Sequence, residues 1–174
     1  MPELDTLRDW FDFNAQARAG YLETFAKLSP EELTRDRGAS YPTLVGIFRH
    51  TVNTYRFWLG KAGFTDPEFR PSEPGSDPSL NELRRFESEV QHHVDRFLRS
   101  LTEADLDRAF PMPGGGNGGT ETLTIRTMLW HLVEEELQHR GELNALLWQI
   151  DVDPPIFDWI DWVKLAERPV PQKQ

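Results

Sequence analysis

One helical segment of this chain places a carboxylate and an imidazole on its apolar face. In residues 124–150 the apolar side chains recur at the i, i+3 and i+4 spacing of a buried helix stripe: Ile125, Met128, Leu132, Leu143, Leu146 and Ile150. In the middle of this stripe stand Glu135 and His139, whose four-residue spacing puts both side chains on the same face. Burial of such groups is costly unless they are paired or bound to a metal. This pair is therefore the first candidate for chemistry.

A second pair with the same spacing, His131 and Glu135, overlaps the first. With Leu132 as the reference and about 100° per residue, His139 lies near the centre of the apolar face, Glu135 about 60° away and His131 about 100° away. His131 and His139 are also about 12 Å apart along the helix axis, which is too far for one ion. Helical phase therefore favours Glu135 with His139 and places His131 at the edge of the face.

A metal ion at this pair would need a third ligand from another helix. The chain has no cysteine, so every protein ligand must be a nitrogen or an oxygen atom. His50 is the only histidine of the second predicted helix and is the candidate, although its helical phase is not decisive. The alternative is that Glu135 and His139 pair with each other or with an arginine. Spacing alone does not separate these two interpretations.

Four further polar residues could assist such a site, in the second shell of the ion or at the substrate: Glu142, Arg18, Asn14 and His131. Glu142 lies near the face of Glu135 and could orient a ligand histidine. Asn14 and Arg18 fall on the apolar stripe of the first helix, and Arg18 could pair with Glu135 or hold an anionic substrate. For both residues a water-exposed end of the bundle is the favoured position. The glycine-rich segment 114–119 lacks the Lys-Ser/Thr of a phosphate loop and is interpreted as a connector or lid.

Four long amphipathic helices must position these residues. They are predicted over residues 2–28, 43–61, 77–101 and 124–150, the third opening at Asp77-Pro78 as N-cap and first helical residue. No convincing strand pattern accompanies them. The expected fold is an all-α four-helix bundle. The long proline-rich connection 63–77 favours a crossover between helices 2 and 3, which gives an up-down-down-up order.

Length and composition set the remaining limits. A chain of 174 residues fits a single domain, predicted over 1–166, with Trp159 and Trp162 anchoring its end and 167–174 forming a flexible tail. The net charge of −10 argues against binding of nucleic acid by a basic face. Neither a leader pattern nor an apolar run of membrane-spanning length is visible, so we expect a cytoplasmic protein without a membrane partner. The six tryptophans could furnish a homodimer interface.

Two segments carry a resemblance to a known family. They are residues 44–50 (LVGIFRH) with 55–58 (YRFW), and residues 130–143 (WHLVEEELQHRGEL). The sequence resembles the DinB family of metal-binding four-helix-bundle proteins. The resemblance implies a divalent ion held by one histidine of helix 2 and two residues four apart in helix 4, which fall on His50, Glu135 and His139. The middle ligand is commonly histidine in that family, so whether Glu135 ligates or His131 replaces it stays open.

The resemblance also implies a class of function. Three protein ligands with an open position are typical of a catalytic site. The family points to zinc or nickel, and it includes metal-dependent S-transferases and isomerases that use low-molecular-weight thiols. We therefore expect a metal-dependent thiol S-transferase or hydrolase that activates water or a thiol toward a small-molecule substrate. The alternative is a non-catalytic, stress-related metal-binding protein or a dimeric interaction protein.

Overall fold

The computed structural model describes residues 2–64, 73–113, 120–156 and 158–166. This part of the chain is mostly helical, as predicted. In chain order its elements are α1 (Glu3–Phe25), α2 (Pro30–Thr34), α3 (Leu44–Lys61), α4 (Leu80–Ser100), a 3₁₀ turn (Glu103–Asp107), β1 (Ala109–Pro113), β2 (Thr120–Thr124), α5 (Ile125–Trp148) and α6 (Trp159–Ala166). Helices 2, 3 and 4 of the sequence prediction are α3, α4 and α5.

Side-chain caps fix where three of the long helices, α3, α4 and α5, begin. The Thr43 hydroxyl accepts from the Gly46 N–H at 2.9 Å to start α3, and the Thr124 hydroxyl accepts from the Thr127 N–H at 3.2 Å to start α5. The prediction that α4 opens at Asp77-Pro78 is wrong, because Ser79 is its N-cap. Ser79 and Glu82 form a reciprocal capping box, which satisfies two backbone N–H groups where a lone aspartate would satisfy one.

The structure contains a two-stranded antiparallel hairpin that was not predicted from the sequence pattern. β1 pairs with β2 in a register that sets Ala109 opposite Thr124 and Phe110 opposite Leu123. The two prolines of β1 obscured the strand signal, since proline cannot donate to a ladder and is tolerated only at an edge. Phe110 is buried and ties the hairpin to the core. The glycine-rich connector 114–119 lies outside the described residues.

The apolar core is formed by side chains from all four long helices. α3 packs against α4 and α5, and α1 packs against the same two helices. Large side chains that are almost fully buried come from each of them: Phe11, Phe48, Phe86 and Leu132. Burial of each such side chain stabilises the fold by about 2 kcal/mol. α3 and α5 are neighbours, and the face of α5 that carries Glu135 and His139 is turned toward α3.

The C-terminal segment packs on α1. The Trp159 ring stacks on Trp10 with centroids 3.9 Å apart and meets Phe13 edge-to-face, and Trp162 also contacts Phe13. The prediction that these two tryptophans anchor the end of the domain is confirmed. The predicted tail 167–174 lies outside the described residues. None of the described helices has the length and apolar character that a membrane span requires.

Candidate metal centre

The structure brings together the three residues that the sequence singled out. His50 Nε2 of α3 and His139 Nε2 of α5 each lie 3.5 Å from Glu135 Oε2. The donor atoms of the three residues all lie within 4.8 Å of one another. The four-residue spacing in α5 stacks Glu135 and His139 on one face, and the packing of α3 against α5 adds His50.

The spacing of these donors fits one divalent ion. A tetrahedral ion with ligand bonds of about 2.1 Å needs neighbouring ligand atoms about 3.4 Å apart. Both nitrogen–oxygen distances, 3.5 Å from each imidazole to Glu135 Oε2, are close to that value. Two imidazole nitrogens and one carboxylate oxygen also form a donor set that first-row divalent metals accept. The residues present therefore suit a metal ion without any cysteine.

His139 is buried, and its second ring nitrogen, Nδ1, contacts Glu142. Its Nδ1 lies 3.1 Å from Glu142 Oε2, and Glu142 accepts two hydrogen bonds of 2.7 Å from the Ser40 N–H and hydroxyl. Burial raises the pKa of Glu142, but the hydrogen bonds from Ser40 and His139 outweigh burial and lower that pKa overall. In the tautomer that donates from Nδ1 to Glu142, the Nε2 lone pair of His139 faces Glu135. This is the contact of an orienting residue, the role predicted for Glu142.

His50 is held by aromatic contacts. The Tyr41 ring stacks on it with centroids 3.9 Å apart, and the His139 ring meets it edge-to-face at 4.7 Å. Burial lowers the pKa of His50, the nearby His139 lowers it further, and Glu135 opposes both. Near neutral pH the ring is therefore uncharged, which is the form that binds metals.

His131 approaches Glu135 from the other side. Its Nε2 lies 3.7 Å from Glu135 Oε1, and its Nδ1 lies 3.7 Å from Glu134 Oε2. The ring also packs edge-to-face on Trp58 at 5.1 Å. His131 forms a separate cluster with the two glutamates, more exposed than the first. The structure thus groups Glu135, and not His131, with His50 and His139.

The favoured position of Asn14 and Arg18 at a water-exposed end of the bundle is wrong. Both side chains are buried, because α1 packs against α4 and α5 at this level. Arg18 donates to Glu136 Oε2 at 2.8 Å and pairs with Glu87 at 3.2 Å. The suggested pairing of Arg18 with Glu135 is therefore replaced by a pairing with the next residue of α5.

Glu136 is the buried charge that sequence reasoning missed. It is 2% exposed and accepts hydrogen bonds from Arg18 and from the Tyr55 hydroxyl, the latter at 2.9 Å. Helical phase could have identified Glu136 as a buried residue. Glu136 lies about 40° from Leu132 around the helix axis, and Glu135 lies about 60° from Leu132 on the other side. The three successive glutamates of α5 thus lie in three environments: Glu134 in solvent, Glu135 in the cluster with His50 and His139, and Glu136 in the core.

A cleft of about 590 Å³ opens beside the three donors. Aromatic side chains form part of its wall: Tyr41, Phe57, Trp58 and His131. The hydrogen-bonding groups along it are Ser40, Asn53, Thr54 and Gln138. Ser40 and Tyr41 belong to the 37–43 loop before α3, which Arg37 N–H closes by donating to the Pro42 carbonyl at 2.7 Å. No periodic pattern marks a loop of this kind, so these two residues could not be identified from the sequence.

The fold and the site together define a class of protein. Its members are mostly helical and carry a cluster of two histidines and one carboxylate between two core helices. The family model of the DinB superfamily matches residues 14–143, and the chain belongs to that family.

The chain is also similar to individual proteins. The uncharacterised protein YkkA of Bacillus subtilis (strain 168) is 30% identical over 90 residues, a match spanning 51% of this chain and 48% of YkkA, so it covers about half the length of that relative. A DinB-like protein from Bacillus cereus has a similar fold, with a TM-score of 0.61 at 15% identity over 87% of this chain and 95% of that one. The DinB-like protein YjoA from Bacillus subtilis gives a TM-score of 0.62 at 15% identity over 86% of this chain and 97% of its own.

Proposed function

We propose that this protein is a metal-dependent enzyme whose divalent ion is held by His50, Glu135 and His139. The observation that carries the proposal is the convergence of three donor atoms, within 4.8 Å of one another, on the wall of a cleft of about 590 Å³. A cleft of that size falls in the range of small-molecule sites, about 300–1,000 Å³. Zinc or nickel is the proposed ion, because two imidazoles and a carboxylate suit both and the family resemblance points to them.

The ion would supply Lewis acidity, which makes water or a thiol nucleophilic near neutral pH. The chain's own residues would set up that chemistry. Glu142 holds the proton of His139 on Nδ1 and so fixes the ligand tautomer. Tyr41 stacks on His50 and limits its rotation. Glu135 supplies one negative charge, so that the loaded centre keeps a net positive charge and favours an anionic nucleophile such as a thiolate.

The reaction class we propose is transfer of a low-molecular-weight thiol to a small-molecule electrophile, or hydrolysis of such a molecule. The alternative is a non-catalytic metal-binding protein, which would close the coordination shell with a fourth protein ligand. Ile156 and Ile160 of the C-terminal segment, 93% and 54% accessible, are apolar side chains that a second copy could cover, so a homodimer belongs to the proposal as well. If light scattering gives the mass of a single chain at every protein concentration, the homodimer is excluded.

We further propose that the four long helices run up-down-down-up, with a crossover between α3 and α4. The order of contacts between α1 and α5 supports this. Glu3 pairs with Arg126 near the start of both helices, and Tyr21 hydrogen-bonds Asn144 near the end of both. α1 and α5 therefore run in the same direction.

The other contacts have the reversed order. His50 contacts His139 while Trp58, later in α3, contacts the earlier His131, so α3 runs opposite to α5. α4 likewise runs opposite to α1, as two contacts indicate: Arg8 with the Leu98 carbonyl, and Arg18 with Glu87. α3 and α4 then share a direction, and the connection between them must cross the length of the bundle.

Elemental analysis tests the metal centre. We expect about one divalent ion per chain in the purified protein and a near-complete loss in His139→Ala and His50→Ala. His50 is partly exposed, so its variant remains informative if the buried His139 variant folds poorly. His92→Ala, an exposed histidine of α4, is the matched control and should keep its metal. Equally low metal content in all four proteins would overturn the proposal.

Activity assays test the enzyme. With the loaded protein we expect consumption of a small thiol together with an electrophile, lost on chelation and restored by zinc or nickel. Chelation that lowers thermal stability, with no turnover across a broad panel of thiols and electrophiles, would instead favour the non-catalytic alternative.

A further inference from the structure

The cleft has two chemically different ends. Trp58 follows His50 by eight residues in α3, and His131 precedes His139 by eight residues in α5, so each pair is about 12 Å apart along its helix. Trp58 and His131 meet edge-to-face with ring centroids 5.1 Å apart. The groove between α3 and α5 therefore has the metal donors at one end and an aromatic wall at the other.

The aromatic wall presents ring surface to the cleft. Phe57 is 44% exposed, and its ring lies edge-to-face to Trp58 at 5.5 Å. Trp58 is half-buried and packs on the apolar core, which holds its ring in place. Rings fixed in this way offer faces and edges to which another ring can pack in the offset or perpendicular geometries that aromatic pairs prefer.

The charge of the lining selects among aromatic ligands. No lysine or arginine is among the described residues that line the cleft, and Glu135 is the single carboxylate among them. Lys61 lies 5.3 Å over the Phe57 ring but is not one of the lining residues. An anionic substituent at this end would lose hydration without gaining a cationic partner, which is unfavourable. The amides of Asn53 and Gln138 can hydrogen-bond to uncharged polar groups instead.

We infer that Trp58 and Phe57 form a specificity wall that binds an uncharged aromatic group of the substrate, a few bonds away from the atom held at the metal centre. The substrate class is thus a small neutral aryl compound. The inference rests on the proposed function for the role of the metal end, but the wall itself is formed by protein side chains and can be tested without a metal.

Metal-free protein provides the first test, with benzyl alcohol and benzoate as probes. In nuclear magnetic resonance spectra the Trp58 indole N–H, identified from Trp58→Phe, is expected to shift with benzyl alcohol and several-fold less with benzoate. Phe57→Ala should weaken the response to benzyl alcohol, whereas Trp148→Ala, which alters an exposed tryptophan outside the cleft, should leave it unchanged. No shift of Trp58, or an equal response to both probes, would overturn the wall irrespective of whether the protein binds metal.

The zinc-loaded protein provides the second test, by calorimetry with two hydroxamates. Both probes carry the same metal-binding head, so benzohydroxamate should bind about tenfold more tightly than acetohydroxamate because of its ring alone. In Trp58→Ala the advantage should fall to about twofold while metal content and acetohydroxamate affinity are retained. An unchanged preference for benzohydroxamate in this variant would contradict the specificity wall but not the proposed metal centre. The test therefore distinguishes failure of one proposal from failure of the other.

Discussion

Nearby residues of α5 have different roles: Glu136 contributes to stability, and Glu135 belongs to the candidate metal centre. Glu136 is buried against Arg18 and Tyr55, whereas its neighbour Glu134 is largely exposed. Removing Glu136 would leave the buried Arg18 with Glu87 as its remaining anionic partner, and the loss of a buried charge pair costs more than the loss of a surface pair.

We predict that Glu136→Gln lowers the free energy of unfolding by about 3 kcal/mol, because the buried Arg18 loses its nearest anionic partner. Urea titration followed by circular dichroism measures this change. Glu134→Gln is the matched control, with an expected change below about 0.5 kcal/mol. Similar midpoints for the two variants would show that the buried pair contributes nothing beyond a surface charge.

A second prediction at this scale concerns Glu142. Because Glu142 accepts from His139 Nδ1, Glu142→Gln should weaken zinc affinity by about 10- to 100-fold while leaving the helical content unchanged. Competition with a chromophoric chelator gives the affinity. Glu89→Gln, which alters an exposed glutamate of α4, is the control, and equal affinities in the two variants would exclude an orienting role for Glu142.

Elements of the structure begin where local hydrogen bonds are best satisfied, and the capping box of α4 is the clearest example. Ser79 and Glu82 each bond to the backbone N–H of the other. Hydrogen bonds from the Ser79 side chain, and then from its backbone N–H, lower the pKa of Glu82 below the ordinary 4.5.

We predict that Ser79→Ala lowers the melting temperature by about 3 °C at pH 7. A depressed carboxyl pKa means that this stabilisation is present above pH 4.5 and is lost as pH falls through the folded-state pKa of Glu82. The gap between the variant and the unmodified protein should therefore narrow at acidic pH in calorimetric scans. Ser76→Ala, in the preceding turn, is the control. A gap that does not vary with pH would contradict the linkage.

How far the sequence predicts these elements depends on the kind of signal. Apolar stripes define the long helices, and helical phase with the family resemblance singles out His50, Glu135 and His139. The hairpin was hidden by the prolines of β1, which suppress a strand pattern without preventing an edge pairing. Ser40 and Tyr41 could not be predicted, because their position depends on how a loop folds back over α5.

At the scale of the whole molecule, aromatic contacts join the C-terminal segment to α1. Trp159 stacks on Trp10, and both Trp159 and Trp162 contact Phe13. The buried network of Arg18 with Glu136, Glu87 and Gln91 in turn connects three of the long helices in the core. Such a network is costly to separate, because any shift between helices would leave a charge unpaired in the interior.

We predict that Trp159→Ala lowers the melting temperature by about 3 °C, because it removes an aromatic stack and part of the area buried against α1. Trp148→Ala, at a position that is 60% exposed, should leave the temperature nearly unchanged. Differential scanning calorimetry distinguishes the two variants. Equal melting temperatures would mean that the C-terminal helix α6 adds nothing to the stability of the bundle.

The double hydrogen bond from Ser40 to Glu142 couples the 37–43 loop to His139, because Glu142 also contacts His139 Nδ1. If loop closure tightens the hold on an ion, the ion must by thermodynamic reciprocity tighten the loop by the same factor. Occupancy of the centre would then be readable at a distance from it, as slower hydrogen exchange of the Ser40 amide. Opening the loop to admit substrate would loosen the ion in the same step.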